Sequence, residues 1–295
     1  MGSKSSHSQK STSTSTSIST SKPFFSSAPK KSYAFIKDQY KTYEELEKGL
    51  REAGLEACQL IVGIDFTRSN TWQGGTVNNQ TYYEKDNLHS RHPYPNPYQH
   101  VLQIMCKSLA NFDNDGLIPA YGFGDTRTTD RSVFSFYANE YGQDMPCLRL
   151  EGVLERYNQI ITDIASEHIK MSGPTSFAPL IYRAIEIVKQ TKEYHILLIV
   201  CDGAVDKEAV TIEAIVEASK YPLSIICIGV GRGPWDVMEK FDDNIPERDF
   251  DNFQFVNFHE VMTRCESEET NFAHKALMEI PDQFEYIRFN LLSKM

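Results

Sequence analysis

An apolar run from Leu60 to Ile64 leads straight into Asp65-Phe66-Thr67-Arg68-Ser69-Asn70, and this stretch constrains the fold more than any other. A buried parallel strand reads as a near-continuous apolar run, and open α/β sheets bind ligands beyond the carboxyl ends of such strands. Here that end carries a carboxylate and two hydroxyls at alternate positions: Asp65, Thr67 and Ser69. Three oxygens so spaced suit a hard divalent cation such as Mg²⁺, which takes oxygen ligands and keeps some of its water.

Two further stretches complete a donor set. His195-Ile196-Leu197-Leu198-Ile199-Val200-Cys201-Asp202-Gly203 reads as a second buried strand ending in an aspartate, with Gly203 freeing the turn. Ser172-Gly173-Pro174-Thr175-Ser176-Phe177-Ala178-Pro179 is a loop that places Thr175 just ahead of a helix, with Pro179 suited to the first helical turn. In a doubly wound sheet the Asp65 and Asp202 strands would stand side by side at the topological switch point. Two carboxylates brought together repel unless they share a cation or a proton, so the fold itself argues for an ion there.

The remaining pattern supports that fold. Thr42-Tyr43-Glu44-Glu45 is a capping box opening a helix through Leu46 and Leu50, with Gly54 to end it. A strand over about 58–66 follows, then a long polar and aromatic loop over 71–97. That loop holds Trp72, Tyr82, Tyr83, His89 and His92; without a cysteine or an acidic-His pair beside them, the histidines read as solvated. Val101, Leu102, Met105 and Leu109 share a helical face. Leu117–Gly124 reads as a strand and Ser132–Tyr137 as a short edge strand. Val153, Leu154, Tyr157, Ile160, Ile161, Ile164 and Ala165 form a stripe that reads as core packing and nothing more. Helices follow over Leu180–Val188 and Ile212–Ser219, then a strand over Leu223–Val230. A short helix spans Trp235–Phe241, the last strand Phe253–Phe258 and a final helix Phe272–Leu277, ahead of a mixed tail. Gly229-Val230-Gly231-Arg232-Gly233 lacks the Lys-Ser/Thr of a phosphate loop and reads as a tight turn. Strands alternating with helices specify a doubly wound, mostly parallel six-stranded sheet with helices on both faces, a Rossmann-like α/β class.

Composition narrows the function. In 295 residues with 40% hydrophobic content there is enough for a full core, and no run approaches the roughly 18 apolar residues of a membrane span. A net charge of −10 argues against nucleic acid as a partner. The six cysteines form no Cys-x-x-Cys pair and the N-terminus has no apolar signal region, which points to a reducing, cytoplasmic setting without structural disulfides. Residues 1–31 are a Ser/Thr-rich arm with five lysines and no acid, too poor in apolar residues to fold, and residues 32–295 form the domain. Met1-Gly2-Ser3-Lys4-Ser5-Ser6 fits the N-myristoylation pattern with Gly2 as acceptor, so a plasma-membrane surface is an expected partner.

Asp65, Thr67, Ser69, Thr175 and Asp202 together resemble the metal-ion-dependent adhesion site of von Willebrand factor A domains. That resemblance implies a divalent ion, Mg²⁺ or else Mn²⁺ or Ca²⁺, held by two carboxylates and three hydroxyls, with one position left for an acidic side chain of a protein partner. Gly63-Ile64-Asp65-Phe66-Thr67-x-Ser69-Asn70, Gly122-Phe123-Gly124, Gly173–Pro179 and Leu223-Ser224-Ile225-Ile226 are similar to the A domain of copines. The stretches Gly231-x-Gly233-Pro234-Trp235, Phe241–Pro246, Asp251–Phe258 and Ala276–Pro281 look closer still to the copine-like RING domain ubiquitin ligases, the RGLG type, whose N-terminus is myristoylated. The resemblance covers about residues 38–285 and implies a copine-like domain with helical extensions at both ends.

Departures from the pattern set the expected function. A RING needs eight Cys/His ligands in paired spacing. After Asn257 this chain has one cysteine, Cys265, and two histidines, His259 and His274. The expectation is a non-enzymatic, metal-dependent adaptor. The alternative is a part in ubiquitin conjugation through a partner, with a nuclear pool compatible with either. A phosphotransferase using Asp65 is disfavoured, because Thr67 stands where a second acid is needed and no phosphate-binding lysine lies nearby.

Overall fold

The computed structural model describes residues 1–2, 42–203, 205–245, 248–263 and 268–294. The Ser/Thr-rich arm beyond Gly2 and Cys265 lie outside these residues; Met1 and Gly2 are exposed and without regular structure.

In chain order the strands are β1 Gln59–Asp65, β2 Gly75–Val77, β3 Gln80–Tyr83, β4 Leu117–Ile118, β5 Ala120–Phe123, β6 Phe134–Ser135, β7 Cys147–Leu148, β8 His195–Cys201, β9 Leu223–Gly229 and β10 Phe253–Asn257. The α-helices are α1 Tyr43–Glu52, α2 Pro97–Leu109, α3 Arg149–Ala165, α4 Ala178–Thr191, α5 Glu208–Ala218, α6 Asp236–Asp243, α7 Phe258–Met262, α8 Glu268–Leu277 and α9 Ile280–Asn290. Six strands make the main sheet in the order β10-β9-β8-β1-β5-β6. All neighbours are parallel except β6, which runs antiparallel to β5 at the edge. The expected doubly wound α/β sheet is the fold, and β1 beside β8 is its switch point.

Alternation along the central strands explains the two cores. Leu60, Val62 and Ile64 of β1, with Ile196, Leu198 and Val200 of β8, pack on one face under α1, α2, α3, α8 and α9. Ile61, Leu197, Ile199 and Cys201 pack on the other under α4, α5 and α6. Successive side chains of a strand point to opposite faces, so a strand buried on both sides must be apolar at nearly every position. This is why β1 and β8 read as runs. Gly63 is the exception: a Cβ there would come 2.1 Å from a Leu180 methyl, so its absence lets α4 lie close on the sheet.

Local signals hold where they were specific. The Thr42 hydroxyl accepts from the Glu45 N–H at 3.2 Å to open α1, and Gly54, with φ +84°, follows its end. Elsewhere the structure differs from the sequence expectation. The 71–97 loop contains the β2–β3 hairpin. The expected strand over Leu117–Gly124 is split at Pro119, which has no N–H to give a ladder. β4 pairs with β7, β5 pairs with β1, and the Pro119 carbonyl still accepts from Val62 at 2.9 Å. The mixed tail is a helix, α9, which buries Ile280, Phe284 and Ile287 against the α1 face. Among the described residues, Cys58, Cys106, Cys147, Cys201 and Cys227 are buried and free.

Candidate metal centre

β1 and β8 carry Asp65 and Asp202 to the same end of the sheet, with Ile64 opposite Val200 in the register. Both aspartates are buried, at 0% and 2% exposure. One oxygen of each, Asp65 Oδ2 and Asp202 Oδ2, is buried with no hydrogen-bond partner. Burial without pairing disfavours the charged form. Burial pushes the Asp65 carboxyl up to about 6, against the hydrogen bonds it accepts from Thr67. Asp202 is raised well above the usual carboxylate range, first by burial and then by the charge of Asp65.

The chain after β1 turns at once. The Thr67 N–H donates to Asp65 Oδ1 at 2.7 Å, which aims one carboxylate oxygen back at its own turn. Residues Arg68–Thr71 make a 3-10 turn, and the Thr67 and Ser69 hydroxyls stand 3.0 Å apart. Asp65, Thr67 and Ser69 are therefore brought together as their spacing implied. Gly124, at the end of β5, makes room for them: with φ +82°, a Cβ there would lie 2.3 Å from Thr67 Cγ2 and 3.1 Å from its backbone nitrogen.

Thr175 reaches the same rim on the loop between α3 and α4. That loop is tied to the Thr67 turn by Arg68 N–H donating to Ser172 O at 2.6 Å, and to β5 by Ser172 N–H donating to Gly124 O at 2.9 Å. It is tied to the Asp202 side by a reciprocal pair: Thr175 N–H donates to Asp206 Oδ2 at 2.7 Å and Asp206 N–H to Thr175 O at 3.0 Å. Thr175 is buried, and among the described residues no hydrogen bond joins its hydroxyl to the other four side chains. On the far side Gln73 closes the rim, accepting from Arg232 N–H at 3.1 Å and donating to Gly233 O at 2.9 Å. The glycine-rich stretch is thus a turn packed on Asp202, since a Cβ on Gly231 would lie 2.5 Å from the Asp202 carbonyl.

Sequence reasoning misplaced one residue here. His89 is not solvated; it is 3% exposed, behind the Asp65 turn. Its Nε2 lies 2.9 Å from the Asp65 carbonyl oxygen and its Nδ1 2.7 Å from the Tyr157 hydroxyl. A buried carbonyl at a strand end needs a donor, and the ring supplies it. Burial holds the His89 ring down at about 3, so it is neutral. His92 is exposed, as expected. Tyr157 does more than pack, because its hydroxyl is spent on His89. The available signal was that a tyrosine in an apolar stripe must still find a polar partner.

The donor set fits a hard divalent cation. Two buried carboxylate oxygens lack partners, the hydroxyls alongside are uncharged oxygens, and no group of three or more His, Cys, Asp or Glu side chains among the described residues could hold a metal ion instead. A doubly wound sheet with such a pair at its switch point is the arrangement that the resemblance to von Willebrand factor A domains implies. The copine family model matches residues 87–294, and the chain belongs to the copine family. It is 50% identical over 250 residues to Copine family protein 2 of Caenorhabditis elegans, covering 84% of this chain and 3% of that protein. It is 46% identical over 281 residues to E3 ubiquitin-protein ligase RGLG2 of Arabidopsis thaliana, covering 90% of this chain and 57% of that one. The chain thus spans only part of these relatives. Among solved structures, manganese-loaded Plasmodium vivax TRAP protein aligns at 12% identity with TM-score 0.42 over 70% of each chain. Proximal thread matrix protein 1 of the mussel byssus, with a zinc-occupied MIDAS motif, aligns at 13% identity with TM-score 0.39 over 78% of this chain and 46% of that one.

Proposed function

We propose that this chain is a protein-binding module that captures an acidic side chain of a partner through a divalent ion. Asp65 and Asp202 would supply charge and Thr67, Ser69 and Thr175 neutral oxygens. The bound ion would act as a Lewis acid for the partner's carboxylate, and no nucleophile is activated. The observation that carries this reading is the pair of partnerless buried oxygens on Asp65 and Asp202, which ionise together only if a cation lies between them. Mg²⁺ is the ion of first choice, with Mn²⁺ and Ca²⁺ as oxygen-seeking alternatives. A pull-down from cell extract with Mg²⁺ and with chelator tests the module: capture must be lost in chelator and in Asp202→Asn. Capture indifferent to both contradicts it.

A second reading has the adaptor serve ubiquitin conjugation. It is supported by the Arabidopsis thaliana relatives, which are named as E3 ubiquitin-protein ligases. Ubiquitin-conjugating or RING proteins among the metal-dependent captures would support it, and their absence would remove it. The proposed setting is the cytoplasm, with Gly2 as a myristoyl acceptor and a membrane surface as an additional partner. One acyl chain gives only marginal attachment, so Gly2→Ala should shift the protein fully to the soluble fraction. An unchanged membrane fraction rules the lipid out.

A further inference from the structure

The back of the Asp65 turn is organised by residues that none of the ligand chemistry requires. The His89 ring lies between Phe66, with centroids 4.8 Å apart and planes at 21°, and Tyr98, at 4.2 Å and 17°. A carbonyl can only accept, so the 2.9 Å contact with Asp65 O places the ring hydrogen on Nε2. Nδ1 of the neutral ring is then an acceptor, and the Tyr157 hydroxyl must donate to it at 2.7 Å. That hydroxyl oxygen in turn accepts from Asn96 Nδ2 at 3.1 Å. The chain of donors runs one way, from the N-cap of α2 through α3 to the Asp65 peptide. A second arm runs beside it: Tyr98 Oη donates to Asn70 Oδ1 at 2.6 Å, and Asn70 Nδ2 donates to Thr67 O at 3.1 Å.

The Asp65 and Thr67 carbonyls are therefore held from the core side, Asp65 O chiefly by His89 and at 3.4 Å also by Asn70 Nδ2. Of the Asp65 carboxylate, Oδ2 is left without a partner, and the Thr67 hydroxyl bonds only the neighbouring Ser69 hydroxyl.

We propose that His89 is a positioning residue for the divalent-ion site, its Nε2–H fixing the Asp65 peptide so that the carboxylate and the Thr67 hydroxyl face the ion. This role rests on the metal-dependent module proposed above. It makes the 71–97 segment part of the site, although it supplies no ligand.

The test uses the whole chain with Mn²⁺ as probe, measured by titration calorimetry, and ring ¹⁵N shifts of His89 in chelator. His89→Gln keeps an N–H donor near the Nε2 position, and His89→Phe keeps a ring without one. Groups that orient metal ligands typically change affinity by roughly 10–100-fold when removed. His89→Phe is expected to weaken Mn²⁺ binding in that range while His89→Gln stays close to wild type, at similar melting temperatures in chelator. Tyr157→Phe, which retains the packing of its ring, should also weaken Mn²⁺ by releasing the tautomer, and it stands in if His89→Phe fails to fold. The ¹⁵N shifts should show the Nε2–H tautomer in wild type and a mixture in Tyr157→Phe. Equal affinity in His89→Phe and wild type, equal loss in His89→Gln and His89→Phe, or an Nδ1–H tautomer in wild type overturns the positioning role. Wild type that binds no Mn²⁺ yet shows the Nε2–H tautomer overturns the metal reading, and with it this role.

Discussion

Asp65 and Asp202 end neighbouring parallel strands, and each keeps one carboxylate oxygen buried without a hydrogen-bond partner. Such a pair is costly unless a proton or a cation occupies it. The chain spends five separate tethers on bringing the surrounding loops to this point: Arg68 to Ser172, Ser172 to Gly124, the reciprocal Thr175–Asp206 pair, Gln73 to the Arg232 turn, and His89 to Asp65.

The proton alternative yields a pH prediction for the metal-free chain. The folded Asp65 carboxyl stands at about 6 against an ordinary 3.8, so the fold holds that proton more tightly than the unfolded chain does. The stability this contributes is complete below the ordinary value and is lost as pH rises through about 6. Asp202, raised in the same direction, extends the loss to higher pH. In chelator, melting temperature should fall across that window, and Asp65→Asn should flatten the trend. With saturating Mn²⁺ the fall should be offset, because the ion binds the deprotonated pair. A rise with pH in chelator that Asp65→Asn leaves unchanged would contradict the assignment.

Gly124→Ala should damage the site as well as the fold. The left-handed backbone and the 2.3 Å approach to Thr67 Cγ2 make any side chain there push on the ligand turn. Overpacking of this kind costs about 1–3 kcal/mol. Calorimetry should show weaker Mn²⁺ binding in the fraction that remains folded; unaltered affinity would mean that the Thr67 turn tolerates displacement.

Asp206 is exposed, yet its carboxylate holds the Thr175 N–H. Asp206→Ala removes one hydrogen bond of the pair and should cost only about 1 kcal/mol of stability. Mn²⁺ affinity should fall more than stability does, because Thr175 loses its tether to the Asp202 side. Asp206→Asn, which retains an acceptor, should recover most of the affinity, and failure of that rescue would disconnect Asp206 from the site.

Much of this was legible in the sequence because it depends on local pattern. The β1 and β8 runs, the alternate oxygens after Ile64 and the Thr175 loop are each short and contiguous, and the doubly wound topology joins them. His89 was not legible, since its partners lie at Asp65 and Tyr157 and no periodicity links a loop histidine to either. The β7 strand, at two residues, is too short to carry a pattern. The α9 helix was within reach: Ile280, Phe284 and Ile287 recur at helical spacing and Pro281 sits in the first turn, but the polar residues between them masked the stripe.

The central claim is that a cation, not packing, reconciles Asp65 with Asp202. Thermal melts of wild type and Asp202→Asn, each in chelator and in Mg²⁺, test it most directly. In chelator the variant should match wild type or exceed it, since one of two repelling carboxylates is gone. Wild type should gain about 2.7 kcal/mol at one hundred times its dissociation constant, and the variant little. If wild type shows no Mg²⁺-dependent shift, or if Asp202→Asn unfolds in chelator where wild type is stable, Asp202 is a structural residue and the account fails.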